Sequence, residues 1–377
     1  PFATCVWLKP VRGYDKYAKR LATWLTAQGC TRSPVNTYLW GLEAVNKQPG
    51  EYSAKIRPRL QPAMCADAAT KTILRGLLHV IHRNEAGVKQ DIDTEFLHDF
   101  RVAVRRTRAA LGQLKAVFPA DATARFKKDF AFLTTITNQV RDLDVYLLHH
   151  EHYQALLPAH VRPDIEPLFT YLQRQRAKAF RTLERKLSSG KYTDILRHWE
   201  VFLEQPPASA SLAPNASRPI VEVACKRIEK KCRGVVTLGA RLLAAPDEQM
   251  LHALRLECKK LRYLLEFFSS LFPGKNTSVL INHLKTLQDN LGRFHDLCVQ
   301  QEVLHQYATR ISASDPRAGK TVRAIDSLIG FLDGEKQTVN QAFPEMFTTF
   351  AAGVAHNHSH PTPMHRRQRL PGAGSNP

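Results

Sequence analysis

The sequence lacks the motifs that phosphate-handling and metal-dependent enzymes commonly use. It has no glycine-rich phosphate loop, no Gly-x-Ser-x-Gly, no His-Glu-x-x-His and no Cys-x-x-Cys. No stretch approaches the ~18 apolar residues of a membrane span, and residues 1–25 lack the order of a signal peptide. The seven cysteines are too irregularly spaced for a disulfide framework. These absences predict a cytoplasmic protein with reduced thiols, no metal site, no cofactor and no visible bond-breaking chemistry.

Acidic residues are also scarce relative to basic ones. The 377 residues include 54 Lys and Arg against 34 Asp and Glu, a net charge of +20. Four stretches, 97–119, 170–191, 225–241 and 251–273, together carry +17 of that charge. Charge of one sign that is clustered in this way predicts a polyanionic partner, which could be nucleic acid, an anionic membrane or polyphosphate.

Strand signals are sparse, and only residues 3–8 and 51–57 look extended. Helical periodicity of apolar residues begins near residue 63 and continues through nine segments. They span 65–88, 94–117, 122–152, 164–189, 192–204, 219–244, 247–271, 277–310 and 315–340. The sequence therefore predicts an all-α main body with a short N-terminal α/β remnant. Its expected parts are a remnant or connector at 1–62, a first helical unit at 63–205, a linker loop at 206–218, a second helical unit at 219–348 and a disordered tail at 349–377.

The two helical units are copies of one another. Leu97-His98-Asp99-Phe100-Arg101 corresponds to Leu251-His252-Ala253-Leu254-Arg255 at an offset of 154 residues. The same offset pairs Phe118-Pro119 with Phe272-Pro273, and later Asp142-Leu143 with Asp296-Leu297. One gapless offset over two helices and a proline indicates an internal duplication.

Each copy carries a row of cations on one helix. At 100° per residue, one row lies along the edge of the buried face and extends over roughly 15 Å. No acid occupies either row, and like charges one turn apart destabilise a helix. The pattern therefore predicts an anion opposite both rows. Their members are His98, Arg101, Arg105 and Arg108 in the first copy, and His252, Arg255, Lys259 and Arg262 in the second, with Arg106 and Lys260 projecting to the side.

Two further helices carry basic residues at helical spacing, and each is expected to face its copy's histidine-bearing helix across a groove. Guanidinium groups suit phosphate oxygens, and lysines add positive charge. The expected binding residues are Arg174, Lys178, Arg181 and Arg185 in the first copy, and Lys226, Arg227, Lys230 and Arg233 in the second.

The two histidines predict a pH-dependent part of the affinity. A polyanion favours the protonated ring, so binding should tighten as the pH falls from about 7 to 6. Lys and Arg side chains are expected to stay charged over that range.

Asp142 and Asp144 could act as a catalytic carboxylate pair. The favoured interpretation of Asp142 and Asp296 is that they anchor basic side chains or cap neighbouring elements.

The motif Leu97-His98-Asp99-Phe100-Arg101, the later Arg141-Asp142-Leu143-Asp144-Val145 and the second copy around His252 and Lys259-Lys260-Leu261-Arg262-Tyr263 closely resemble the CHAD family, the histidine-bearing α-helical domain. The resemblance covers residues 64–345. It implies two pseudo-symmetric antiparallel four-helix bundles with basic residues along a central groove. It also implies non-enzymatic binding of inorganic polyphosphate and association with polyphosphate granules in bacteria. The residues that match the family signature are His98, Arg101, Arg105, Arg108, His252, Arg255, Lys259 and Arg262.

Residues 1–60 resemble the piece that joins a CYTH triphosphatase domain to a CHAD domain. The Glu-x-Glu-x-Lys pattern of the CYTH tunnel does not occur, so the expectation is that the chain contains no triphosphatase site. Residues 14–30 predict a helix with Tyr17, Leu21 and Trp24 packed on one side.

Two alternatives to polyphosphate binding stay open at this point. The first is a nucleic-acid-binding helical protein, against which the basic rows lack the interleaved aromatic residues that stack on single strands. The second is a metal-dependent hydrolase of polyphosphate or nucleotides, in which Asp142 and Asp144 would hold the metal. Release of phosphate from polyphosphate would distinguish a hydrolase from a binding protein.

Overall fold

The computed structural model describes residues 6, 8, 13–32, 37–46, 52–245, 247–314 and 318–359. All helical structure in these residues lies in twelve α-helices and two 3₁₀ turns, and none of them forms a strand. The all-α prediction is therefore confirmed. The chain divides into two compact units, Pro1–Lys55 and Ile56–Pro377.

The first unit contains helices α1 (Asp15–Ala27) and α2 (Thr37–Ala44). The strand predicted at 51–57 is wrong for residues 52–57, which are irregular, and most of the strand predicted at 3–8 lies outside the described residues. The helix predicted at 14–30 exists, but Tyr17, Leu21 and Trp24 are exposed on α1 instead of packed. An α/β remnant thus has no support among the described residues.

Six helices make up the first copy of the repeat. Helix α4 packs between α3 and α5, α5 packs against α7, and the shorter helices α6 and α8 contact this set. A 3₁₀ turn at Arg162–Ile165 leads into α7. The helices are α3 (Ala66–Lys89), α4 (Thr94–Gln113), α5 (Ala120–Leu148), α6 (His150–Leu156), α7 (Glu166–Leu187) and α8 (Gly190–Glu204).

Four helices make up the second copy, and they pack in the same order. Helix α10 lies between α9 and α11, and α11 packs along α12. The helices are α9 (Ile220–Ala244), α10 (Glu248–Phe267), α11 (Lys275–Ser314) and α12 (Gly319–Ser359). The disordered tail predicted from residue 349 is wrong as far as Ser359, because residues 349–359 continue α12 with Phe350 and Val354 buried. The rest of that segment lies outside the described residues.

The structure confirms the duplication in detail. Helices α3 and α4 begin 154 residues before α9 and α10, respectively. Asp93 caps α4 by accepting a hydrogen bond from the Glu95 amide at 2.7 Å, and the equivalent Asp247 caps α10 through the Gln249 and Met250 amides. A side-chain acceptor at this position satisfies amides that have no partner within the helix.

A short backbone bridge joins equivalent positions of the two copies. Cys65 pairs antiparallel with Pro219, which follows it by 154 residues. The Ala66 amide donates to the Arg218 carbonyl at 2.9 Å, and the Ile220 amide donates to the Met64 carbonyl at 2.8 Å. The donors of the two bonds are 154 residues apart, and so are their acceptors. A pseudo-twofold axis therefore passes through this bridge.

The core of each copy lies between its long helices. In the first copy, the fully buried Trp199 packs its ring against Phe126, Phe130 and Phe202. In the second copy, the buried rings of Phe343 and Phe347 on α12 stack on each other. Burial of such rings stabilises each helical set and fixes the helix faces that carry the cations.

Two glycines of α9 provide a test of this packing. A methyl group at Gly239 would overlap the buried Phe347 ring on α12, whereas one at Gly234 would meet its nearest atom, Glu257 Oε2, only at 4.0 Å. We expect Gly239→Ala to lower the free energy of unfolding by about 1–3 kcal/mol through overpacking. Gly234→Ala should be neutral or stabilising by up to ~1 kcal/mol because alanine is the better helix former. Urea unfolding of both variants checks this, and equal effects would contradict the close approach of α9 and α12.

The sequence predicted neither a membrane span nor a disulfide framework, and the described part of the chain can be compared with both expectations. None of its helices combines the length and the apolar character needed to cross a membrane. Its six cysteines, including Cys225 and Cys232 on α9, are free thiols.

Candidate functional site: a cationic groove shared by the two repeats

In the first copy, α5 holds one end of the cation row. Arg101 is 8% exposed, and its Nη1 donates to Thr137 Oγ1 at 2.7 Å and to Asn138 Oδ1 at 2.9 Å. Burial, followed by the nearby Arg105, lowers the pKa of Arg101 to about 10. Arg108 Nη1 makes a longer bond to Thr134 Oγ1 at 3.3 Å. The Arg101 guanidinium is therefore already occupied by acceptors of the protein, while Arg105 and Arg108 further along the row are partly exposed.

The two rows meet where α4 contacts α10. Arg105 lies close enough to Lys259 to lower the pKa of that lysine, although the two residues belong to different copies. Neither side chain forms a hydrogen bond or an ion pair among the described residues, and Arg105 Nε is a buried donor without an acceptor. A buried donor of this kind costs about 1–3 kcal/mol when nothing pairs with it.

In the second copy, the row opens into a pocket between α10 and α11. The pocket has a volume of about 340 Å³ and contains three of the predicted residues, Arg255, Lys259 and Arg262. Arg255 Nη2 lies 3.6 Å from Asp296 Oδ1, so Asp296 anchors a basic side chain as expected. The remaining lining residues are Gln288, Asp289, Gly292 and Arg293.

Sequence reasoning missed three residues at this site. Arg293 lines the pocket but pairs with Glu335 of α12. Arg141 and His295 occupy equivalent positions of α5 and α11, and each lies beside its copy's histidine. Burial and then Arg141 lower the pKa of His98, and the Nδ1 atoms of His252 and His295 are 3.4 Å apart. The offset of 154 residues relates these two positions. Because one is Arg and the other is His, the sequence did not show that each lies beside its copy's histidine.

Arg106 is occupied within the protein, so a contact between its side chain and a polyanion stays a prediction. Its side chain is buried, forms an ion pair with Glu266 of α10 and lies 5.6 Å from the centre of the Tyr263 ring. It therefore joins the two copies. Its counterpart Lys260 donates to Glu257 Oε1 at 2.7 Å, so this amine is also occupied within the protein.

The basic residues of α7 lie on an exposed face of that helix. Arg174, Lys178, Arg181 and Arg185 are all exposed, and α7 packs mainly against α5, α8 and α12. Exposed side chains are compatible with the open side of a groove. That α7 faces α4 across a groove, and that its cations contact a polyanion, therefore stays a prediction.

The basic residues of α9 differ in their exposure. Helix α9 packs against α10, as the groove requires, but Lys226, Lys230 and Arg233 are exposed, and Arg233 lies 3.6 Å from Glu229 of its own helix. Arg227 is half-buried, its Nε has no acceptor, and burial lowers its pKa. Their contribution to binding also stays a prediction.

Asp142 and Asp144 do not form a carboxylate pair. Asp144 is 1% exposed, and its Oδ1 accepts from Arg176 Nε at 2.6 Å. Asp142 lies near Arg101, whose positive charge it favours. Within the described ranges, no group of three or more His, Cys, Asp or Glu side chains could hold a metal ion.

Lys259 stays mostly charged between pH 7 and 6, as expected, but it loses its proton closer to neutral pH than an ordinary lysine does. Burial, followed by Arg105, Arg255 and Arg262, lowers its pKa to about 8, and the opposing effect of Asp296 is smaller. The amine is therefore partly neutral in the free protein at pH 8.

The geometry defines a class of protein: an all-α protein of two repeats whose cation rows approach each other where α4 contacts α10. The model of the CHAD domain matches residues 72–305, more than half of the chain, and the protein belongs to the CHAD domain family. This family is linked to polyphosphate binding, and a CHAD domain alone is a binding domain and not a known enzyme.

Solved structures share this fold. The CHAD domain from the plant Ricinus communis matches with a TM-score of 0.65 and 24% identity, over 83% of this chain and 99% of that chain. PptA from Streptomyces chartreusis matches with a TM-score of 0.55 and 18% identity, over 76% of this chain and all of that one. No curated protein sequence matches this one.

Proposed function

We propose that this protein binds inorganic polyphosphate in the groove between the two repeats, without hydrolysing it. The core of the site is the junction of Arg105 and Lys259, extended by Arg108 on one side and by Arg255 and Arg262 on the other. His98 contributes a protonated ring when the pH is low, and the ring of His252 lies at the equivalent position of the second row. By the same proposal the protein acts in the cytoplasm and is located at polyphosphate granules.

The close approach of Arg105 and Lys259 is the main support for this proposal. Two cations from symmetry-related positions approach closely enough to lower a pKa, and neither forms an ion pair among the described residues. Folding brings them together at an electrostatic cost, which a bound polyanion would reverse. Because the two cation rows occupy equivalent positions of the two repeats, a linear polymer with identical phosphate groups suits both of them.

The pocket favours polyphosphate over nucleic acid. Its lining contains arginine, lysine, acidic and amide side chains together with one glycine, and no aromatic ring is among them. Single-stranded nucleic acids gain about 1–3 kcal/mol per base from stacking on aromatic side chains. A polymer without bases has no stacking energy to lose at such a site, because it presents only phosphate oxygens.

The test is a salt-dependent competition experiment. Binding of labelled polyphosphate should weaken linearly on a log–log plot against salt, because each neutralised phosphate releases counterions. Single-stranded DNA and heparin should compete less well than unlabelled polyphosphate at physiological ionic strength. A flat salt response, or DNA competing equally well, would contradict the proposal. Phosphate release in the presence of Mg²⁺ or Mn²⁺ would instead indicate a hydrolase.

Binding should also depend on pH in two separate steps. A bound polyanion raises the pKa of Lys259 above about 8, so affinity should increase as the pH falls from about 9.5 to 8. His98 begins with a lowered pKa, and its uptake of a proton should strengthen binding again below about pH 6.5. Each step is worth at most tenfold per pH unit.

Lys259→Arg should remove the upper step and His98→Gln the lower one, and isothermal titration at several pH values measures both. The charged groups that face Lys259 are Arg105 on α4, Arg255 and Arg262 on α10, and Asp296 on α11. An affinity that is constant from pH 9.5 to 8 in the unmodified protein would show that Lys259 does not contact the polymer.

A further inference from the structure

Lys259 combines an unpartnered amine with a cavity that is lined by guanidinium groups. Its Nζ has no hydrogen bond or ion pair in the described part of the chain, whereas the adjacent Lys260 and the nearby Lys231 both bind Glu257, at 2.7 and 2.5 Å. The pocket of about 340 Å³ beside Lys259 also exposes Arg255 and Arg262. An amine and two guanidinium groups, which suit phosphate oxygens, thus share one open cavity.

The environment of Lys259 also makes its amine a competent nucleophile. Only the neutral form of a lysine attacks an electrophile, and an ordinary lysine with a pKa near 10.4 is almost entirely protonated at pH 7.5. Burial and Arg105 lower the pKa of Lys259 to about 8, which increases the neutral fraction on the order of 100-fold. The charged groups around it are Arg105 from α4, Arg255 and Arg262 from its own helix, and Asp289, Arg293 and Asp296 from α11.

We propose that Lys259 is a covalent modification site for acyl phosphates, whose phosphate group binds to the surrounding guanidinium groups. The neutral amine attacks the carbonyl carbon, a C–N bond forms, and the C–O bond to phosphate breaks. Inorganic phosphate leaves with the electron pair, and the amine proton passes to water. The pocket is large enough for a small acyl phosphate and binds the leaving group, which is stabilised as its charge develops.

Acylation would also affect the groove. It replaces a titratable amine by a neutral amide and adds bulk beside Arg105. Polyphosphate affinity should therefore fall in the modified protein, a consequence that rests on the proposed function. The modification itself does not rest on it and can be measured without any polymer.

Acetyl phosphate is the probe for the test. The full chain is incubated with it at pH 7.5, and acetylation of each lysine is followed by peptide mass spectrometry. Lys259 should react at least tenfold faster than Lys226 and Lys230, which are exposed on the neighbouring helix α9. Reaction at the same rate as these two lysines overturns the proposal.

Two comparisons separate phosphate binding from simple nucleophilicity. Excess inorganic phosphate, and independently Arg262→Gln, should lower the ratio of acetylation by acetyl phosphate to acetylation by the uncharged donor N-acetoxysuccinimide at Lys259 several-fold, without changing that ratio at Lys226. The ratio cancels any change in the pKa of Lys259. N-acetoxysuccinimide should show a smaller preference for Lys259 than acetyl phosphate does. An equal preference for Lys259 with both donors, together with no effect of phosphate, would overturn the role of the guanidinium groups. Direct binding of polyphosphate to the unmodified protein tests the proposed function separately.

Discussion

Reversal of charge at both Arg105 and Lys259 is expected to weaken polyphosphate binding by about 100-fold or more. The two side chains lie close together from different repeats, and neither has an acidic partner among the described residues. A charge reversal replaces an attraction to phosphate with a repulsion, so each single change should cost at least tenfold, or about 1.4 kcal/mol. Fluorescence anisotropy with labelled polyphosphate at two salt concentrations measures the effect.

The matched control is the double variant Lys320→Glu and Arg323→Glu. It changes the net charge by the same amount, but at exposed positions of α12 that do not line the pocket between α10 and α11. We expect it to weaken binding only through long-range electrostatics, and less at the higher salt concentration. If either single change at Arg105 or Lys259 left the affinity unchanged, or if the α12 variant had the same effect as the double variant of Arg105 and Lys259, a single shared groove would be wrong.

Removal of the negative charge of Glu266 is expected to destabilise the protein by about 2 kcal/mol. Glu266 on α10 pairs with Arg106 on α4, whose side chain is 9% exposed. Glu266→Gln would leave the Arg106 guanidinium buried without an anion, and breaking a fully buried pair costs about 3–5 kcal/mol. The smaller value is expected here because Glu266 keeps about a third of its side chain exposed.

The control for this variant is Glu222→Gln. Glu222 pairs with Arg218 at 2.8 Å, but both side chains are about half-exposed, so the change should stay within ~0.5 kcal/mol. Urea unfolding gives both values, with the denaturant dependence checked for a constant slope. Equal effects of the two variants would contradict the assignment of Arg106 and Glu266 as a link between the repeats.

The sequence by itself determined the fold class, the duplication and the position of the cation rows along their helices. These features depend on local periodicity, which a single helix displays without reference to its neighbours. The constant offset of 154 predicted that α9 and α10 repeat α3 and α4, and their observed starts confirm it. The strand predicted at 51–57 is absent from residues 52–57. Whether a short extended pattern forms a strand depends on a pairing partner, and none is present there among the described residues.

Only the tertiary structure decided which cations are free. A helical wheel places Arg101 and Arg105 on nearly the same face, but α5 covers the first and leaves the second beside Lys259. Arg106 points away from the row on the wheel and yet is buried, because a second helix with Glu266 packs there. The partly neutral state of Lys259 has the same origin, since desolvation and repulsion between repeats exist only once two helices distant in sequence lie side by side.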